Sequence, residues 1–128
     1  MLNILSGKIH RARVTEANPD YEGSISIDPV LMEASDILPF EQVHVLDVDN
    51  GARLQTYAIP GMPHSGEICL NGAAAKLIHK GDIVIILAYR GLSDAEARTY
   101  KPRMVYVDEQ NQIVRTSYDG TLAYSRLS

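Results

Sequence analysis

Val43-His44-Val45-Leu46-Asp47-Val48, then Asn50-Gly51, then Arg53-Leu54-Gln55-Thr56-Tyr57-Ala58-Ile59, is the stretch whose reading decides the fold class. The first arm is rich in β-branched residues, which suit a pleated, half-buried surface. Asn-Gly is the pair most favoured in two-residue hairpin turns, because both central residues take positive φ. The second arm returns and is closed by Pro60. Outward from this hairpin the period-two pattern recurs. Ile4, Ser6, Lys8 and His10 are expected on one face of an opening strand, with Leu5, Gly7, Ile9 and Arg11 on the other. Residues 67–70 read as a short strand before the helix-prone run Ala73-Ala74-Ala75-Lys76-Leu77-Ile78. The apolar run Ile83-Val84-Ile85-Ile86-Leu87-Ala88 predicts a strand buried on both faces. Residues 104–107 and 113–116 make a last hairpin.

Two short helices are marked by their caps. Asp28-Pro29 puts a good N-cap before a proline at the first helical position, opening a helix over 30–35. Ser93-Asp94-Ala95-Glu96 fits a capping box, and Pro102 must end the helix that follows. Short strands, turns and brief helices point to a mainly β fold, a β-barrel rather than alternating β/α units. The tail from Tyr118 onward carries no clear pattern.

The 128 residues fit one domain, large enough to bury a core without staples. One cysteine, Cys69, excludes an intramolecular disulfide and suits a reducing cytoplasm. A net charge of −4 with no basic block argues against a nucleic-acid surface. The longest apolar run is too short to span a bilayer, and the opening residues lack a signal-peptide pattern. The reading is a soluble, cytoplasmic protein. No phosphate loop, paired-cysteine site or nucleophile elbow is present, and the four histidines are scattered. No metal is expected.

Tyr21-Glu22-Gly23-Ser24 admits two readings. A Gly-Ser pair is usually a turn. It can also be a strained peptide bond whose following hydroxyl attacks the glycine carbonyl, with no Cβ in the way. An acyl shift to the oxygen, elimination and hydrolysis would convert the serine into a pyruvoyl group.

Six motifs in order weigh between these readings: Gly7-Lys8-Ile9-His10-Arg11, Tyr21-Glu22-Gly23-Ser24, Thr56-Tyr57-Ala58-Ile59, Asn71-Gly72-Ala73-Ala74-Ala75, Gly81-Asp82-Ile83-Val84-Ile85 and Glu96-Ala97-Arg98-Thr99. Together they make the chain resemble the aspartate 1-decarboxylase family, pyruvoyl-dependent enzymes that form β-alanine for pantothenate synthesis. The resemblance runs over about residues 5–111. It implies a double-psi β-barrel, a homotetramer and active sites at contacts between subunits. It also implies one domain over 1–128, cut into a small β chain (1–23) and a pyruvoyl-bearing α chain (24–128).

Residue by residue, the resemblance makes Ser24 the pyruvoyl precursor and Gly23 the new C-terminus. Tyr57 becomes the proton donor, and Thr56 is tied to self-processing and substrate binding. Gly72, Ala73 and Ala74 supply the backbone loop that holds substrate. Lys8, Arg53 and Asn71 are further polar residues of the site. No metal and no pyridoxal phosphate are implied, and a maturation helper protein is left open. Two positions depart from the family pattern, Ile25 and Leu46, the second at the pocket wall.

The chemistry is consistent with these residue types. Aspartate carries two carboxylates; Arg53 can hold one through paired hydrogen bonds, and Lys8 offers a point charge. A phenol such as Tyr57 is protonated at neutral pH and can donate. Alternation places Arg53 and Tyr57 on one strand face and Thr56 on the other. Two arrangements would reconcile Thr56 with Tyr57: a bulged strand, or a site at a subunit boundary, which the family favours. The alternative to the enzyme is an uncleaved β-barrel acting as a binding or assembly module.

Overall fold

The hairpin read from residues 43–59 lies at the centre of a nine-stranded sheet in the computed structural model, which describes residues 1–118. In chain order the strands are β1 (Leu2–Arg13), β2 (Glu16–Asn18), β3 (Ser24–Ile27), β4 (Gln42–Asp47), β5 (Arg53–Pro60), β6 (Ile68–Asn71), β7 (Ile83–Leu92), β8 (Arg103–Val107) and β9 (Ile113–Ser117). Their order across the sheet is β2-β6-β3-β5-β4-β7-β1-β8-β9. β1/β8, β2/β6 and β3/β5 pair parallel, and the remaining pairs are antiparallel. The fold is mainly β. Among the described residues, no helix is long and apolar enough to cross a membrane. The predicted tail beyond Tyr118 lies outside the described residues.

Both helices form where their caps place them. Helix α1 (Pro29–Ser35) starts at Asp28, whose Oδ1 accepts from the Val30 N–H at 2.9 Å. The same buried carboxylate accepts from His64 N and Gly66 N, so it also ties down the loop before β6. Helix α2 (Asp94–Ala97) carries the full Ser93/Glu96 capping box. The run after residue 72 is a 3₁₀ turn over Gly72–Lys76, shorter than the predicted α-helical stretch.

Inward side chains from β1, β3, β4, β5, β6, β7 and β8 meet in one core that includes Ile9, Ile25, Val43, Ala58, Leu70, Ile86 and Val105. Each buried aliphatic side chain of this kind contributes roughly 1.5–3 kcal/mol, so the core ties these seven strands together.

Three local expectations are corrected. The β4–β5 turn is not a two-residue hairpin: Gly51 N donates to Asp47 O, and Asp47 N donates to Ala52 O. Only Gly51 takes positive φ, at 78°. Asn50 works through its side chain instead, its Oδ1 accepting from Ala52 N and its Nδ2 donating to Leu77 O. In β1, register shifts at Leu5/Gly7 and Ile9/Ala12 break strict alternation, burying Ser6 and turning Arg11 outward with φ 61°. In β7, Val84, Ile86 and Ala88 are buried, but Ile83, Ile85 and Leu87 on the other face are only half-buried in the single chain.

The end of β4 brings carboxylate oxygens of Asp47, Asp49 and Asp82 within 4.8 Å of one another. Asp47 Oδ1 accepts from Asp49 N and Asn50 N, while its buried Oδ2 receives no hydrogen bond. Burial pushes the Asp47 carboxyl up, and the facing Asp82 carboxyl adds to this; Asp82, sharing Asp47's proton, is held down. At Asp47 the folded state therefore binds its proton more tightly than the unfolded chain. Its contribution is present below the ordinary carboxylate range and is lost as pH rises through the raised value. Asp47→Asn keeps the Oδ1 acceptor and gives Asp82 a permanent N–H donor. We expect it to stabilise the fold by about 1 kcal/mol at neutral pH and to flatten the fall in stability as pH rises from the ordinary carboxylate range through the raised Asp47 value. Thermal melts across that range check this; a variant less stable than the parent at pH 7 would contradict it.

Candidate active site around Ser24

One face of the β2-β6-β3-β5 ribbon forms the floor of a cavity of about 320 Å³. Register explains which side chains meet there. Ser24 lies opposite Asn71 and Ser26 opposite Cys69 across the antiparallel β3/β6 pair, while Asn18 pairs with Asn71 and Ile59 with Ser26. Residues two apart on a strand share a face, so 24 with 26, 69 with 71 and 57 with 59 line one surface. Tyr57, Tyr21, Glu22 and Glu67 complete the wall.

Ser24 is 3% exposed, at the first residue of β3. Its Oγ accepts from Asn71 Nδ2 at 3.0 Å, and the same amide donates to Ser26 Oγ at 3.1 Å. Gly72 follows with φ 73°, a left-handed conformation open to glycine at no steric cost. Its backbone presses on the cleavage-motif loop: a Cβ there would lie 2.7 Å from Gly23 Cα and 3.0 Å from the Tyr21 carbonyl oxygen. Gly23 is different. Its φ is not positive and the space beside it is open, so the strain expected at Gly23 is absent from its φ. The steric demand for glycine lies at residue 72.

Tyr57 is 36% exposed and lies at the mouth, its ring tilted against Phe40 at 6.4 Å between centroids. β5 pairs with β4 over Arg53–Tyr57 without a register shift, which removes the bulged-strand option. Thr56 is thus on the opposite face from Tyr57, half-buried and outside both the core cluster and the cavity wall. Ala73 and Ala74 sit on the 3₁₀ turn next to the site.

Lys8 and Arg53 are not brought into this cavity by their own chain. They share the outer face of β5-β4-β7-β1. Arg53 lies in line with Leu46 and Ile85, and Lys8 in line with Leu87, His44 and Gln55. Three strand spacings separate β1 from β5, about 14 Å along the sheet. Burial alone pulls the Lys8 ammonium below its usual value. The cavity wall itself holds two carboxylates, Glu22 and Glu67, and no lysine or arginine among the described residues.

Sequence reasoning missed Asn18, Ser26 and Cys69. The Cys69 Sγ accepts from Asn18 Nδ2 at 3.3 Å and donates to Asn71 Oδ1 at 3.4 Å. The signal was available in part: Cys69 and Asn71 share parity two residues apart, as do Ser24 and Ser26. Which strand would pair with β6 was not.

Comparison of the sequence with known proteins points to one family. The model of the aspartate decarboxylase family matches residues 1–114. The chain is 54% identical over 121 residues to aspartate 1-decarboxylase from Clostridium beijerinckii, covering 94% of this chain and 98% of that protein. It is 56% identical over 111 residues to the Thermoanaerobacter pseudethanolicus aspartate 1-decarboxylase, covering 87% and 95%. It is 58% identical over 113 residues to that of Pelotomaculum thermopropionicum, covering 88% and 86%. With the Gly23-Ser24 pair, Tyr57 and the Asn71-Gly72 turn assembled around one cavity, the chain belongs to the aspartate decarboxylase family.

Proposed function

We propose that this chain cleaves itself between Gly23 and Ser24 and then decarboxylates L-aspartate to β-alanine and CO₂, serving pantothenate synthesis. The observation that carries the reading is the Asn71 amide on Ser24 Oγ, with the Gly72 backbone packed against Gly23, at the wall of the cavity that Tyr57 also lines.

In self-cleavage, Ser24 Oγ attacks the Gly23 carbonyl carbon. The C–N bond breaks, the hydroxyl proton passes to the departing amide nitrogen, and an ester joins the two parts. Loss of the residue-24 Cα proton expels the Gly23 carboxylate and leaves dehydroalanine. One water then releases ammonia and leaves a pyruvoyl group at residue 24. The fit is good: the serine is buried, its oxygen is held by an amide donor, and the Gly72 backbone packs against Gly23 where any Cβ at 72 would clash. The pieces are residues 1–23 and 24–128.

The pyruvoyl group supplies a carbonyl that captures the substrate amine and a sink for the electrons left by CO₂ loss. The chain's own residues do the rest. Tyr57 holds a phenolic proton for delivery to the substrate α-carbon. The backbone of Gly72, Ala73 and Ala74 positions the substrate, and Thr56 contributes to processing from the reverse face of β5. Arg53 and Lys8 bind carboxylates.

A substrate with two carboxylates needs added cations at a wall bearing Glu22 and Glu67. We therefore assign the missing charge to Arg53 and Lys8 of a neighbouring copy, in a homotetramer of double-psi barrels with sites at subunit contacts. The half-buried Leu46, Ile85 and Leu87 beside these cations suit such a contact. The enzyme is taken as cytoplasmic, and a maturation helper protein remains compatible with the scheme.

Intact-mass measurement of the purified wild-type chain tests the reading. Two components are expected, residues 1–23 and a 24–128 chain with a pyruvoyl end, together with aspartate turnover. A single unbroken chain with no turnover, even after incubation with cell extract, would return the alternative of an uncleaved binding or assembly module.

A further inference from the structure

We propose that Cys69 is a positioning residue for self-cleavage: its thiol fixes which way the Asn71 amide points, and so how Ser24 is held. The inference rests on the Gly23–Ser24 cleavage proposed above. It comes from a relay of hydrogen bonds across three strands. Asn18 Nδ2 on β2 donates to Cys69 Sγ on β6 at 3.3 Å; the Cys69 thiol donates to Asn71 Oδ1 at 3.4 Å; Asn71 Nδ2 donates to Ser24 Oγ and Ser26 Oγ on β3 at 3.0 and 3.1 Å.

An asparagine side chain presents an acceptor and a donor of nearly the same shape, so its orientation is set by its neighbours. Serine hydroxyls serve equally as donors or acceptors and cannot choose for it. The thiol supplies the bias: with Asn18 Nδ2 donating to the sulfur, the S–H proton is directed at Asn71 Oδ1, and the amide meets it with its oxygen end. Burial pushes the Cys69 thiol up, with Glu67 and Glu16 adding to the effect, so the donor proton stays in place. Asn71 Oδ1 is thereby turned to sulfur and Nδ2 to Ser24.

The consequence for Ser24 is directional. With an N–H pointed at it, Oγ is held as an acceptor, and its own proton is not captured by the amide. That proton is free to follow the breaking bond, and the N–H stabilises charge growing on oxygen as it leaves. The reversed amide would bind the hydroxyl proton to a weakly basic carbonyl instead. The sulfur touches neither Ser24 nor the scissile bond; it acts through Asn71.

The test is a time course of cleavage by intact mass, run on freshly purified uncleaved protein beside thermal melts. Cys69→Ala is expected to slow cleavage about tenfold, the worth of one orienting hydrogen bond. Cys69→Ser restores a donor and is expected to recover the rate to within about threefold of the parent, which a purely space-filling role would not require. Asn18→Ala removes the other end of the relay without touching the core and should slow cleavage about threefold. Rates equal to the parent in both Cys69→Ala and Asn18→Ala overturn the relay. So does a Cys69→Ser variant as slow as Cys69→Ala. A parent chain that never separates into fragments overturns the cleavage reading, and the relay with it. A cleaving parent with unslowed variants overturns the relay alone.

Discussion

Ser24→Ala is expected to give a single unbroken chain of 128 residues with no aspartate turnover, folded as the parent is. The chemical half of this expectation is absolute. Without Oγ there is no nucleophile for the Gly23 carbonyl, no ester and no route to a carbonyl at residue 24. The structural half follows from what the oxygen touches. Its hydrogen-bond partner is Asn71 Nδ2, and that amide keeps Ser26 Oγ at 3.1 Å when Ser24 loses its hydroxyl. No buried donor is orphaned, so the cost stays at about 1 kcal/mol, small beside the stability of a domain. Intact mass, β-alanine production and a melting curve measure the three parts separately. Fragments of residues 1–23 from this variant, or β-alanine formed at the parent's rate, would remove Ser24 from the chemistry. Collapse of the melt alone would show that the hydroxyl matters to folding instead.

How much of this was legible beforehand depends on whether a feature is local. Both helix caps follow from residues within four positions, and both form as Asp28-Pro29 and Ser93-Asp94-Ala95-Glu96 indicate. The β4 and β5 arms were equally clear, because β-branched density needs no knowledge of the partner. The turn between them was not. Asn50 is held by a contact with Leu77, twenty-seven residues away, and its side chain rather than positive φ shapes the loop. Parity alone placed Arg53 with Tyr57 and against Thr56, and β5 obeys it. Parity failed in β1, where two register shifts bury Ser6 and expose Arg11.

The site divides the same way. Ser24, Tyr57 and the Asn71-Gly72 turn could be named from their motifs, but nothing in the sequence says that β3 and β6 pair in the register that sets Ser24 against Asn71. That pairing is long-range and sets Cys69 beside Ser26, while the equally long-range β2/β6 pairing brings Asn18 to Asn71. The demand for glycine likewise moved from residue 23 to residue 72, because it arises from the approach of two segments rather than from either one. Lys8 and Arg53 show the remaining limit. Their strands are regular and their charges obvious, yet the cavity of one chain contains neither.

Tyr57→Phe separates processing from catalysis, and it is the second large effect expected. The change deletes one oxygen and keeps the ring, which packs beside Phe40 at a half-open mouth, so stability should move by no more than about 0.5 kcal/mol. Cleavage should proceed, since the Asn71–Ser24 contact and the Gly72 backbone do not involve the phenol. Turnover per pyruvoyl-bearing chain should fall about 10²- to 10⁴-fold, the usual worth of a positioned general acid. The loss should appear in kcat with little change in KM, because the proton is needed only after aspartate is bound and CO₂ is leaving. The assay must count pyruvoyl ends by mass before rates are compared, so that incomplete maturation is not mistaken for slow chemistry. A variant that matures and keeps the parent's kcat would leave Tyr57 as a wall residue and send the proton's origin to another group at the mouth. A rise in KM at constant kcat would make it a binding residue. Only a fall in kcat with intact maturation assigns the proton to its oxygen, and that outcome would also explain why the face of β5 that carries Tyr57, not the one that carries Thr56, is turned to Ser24.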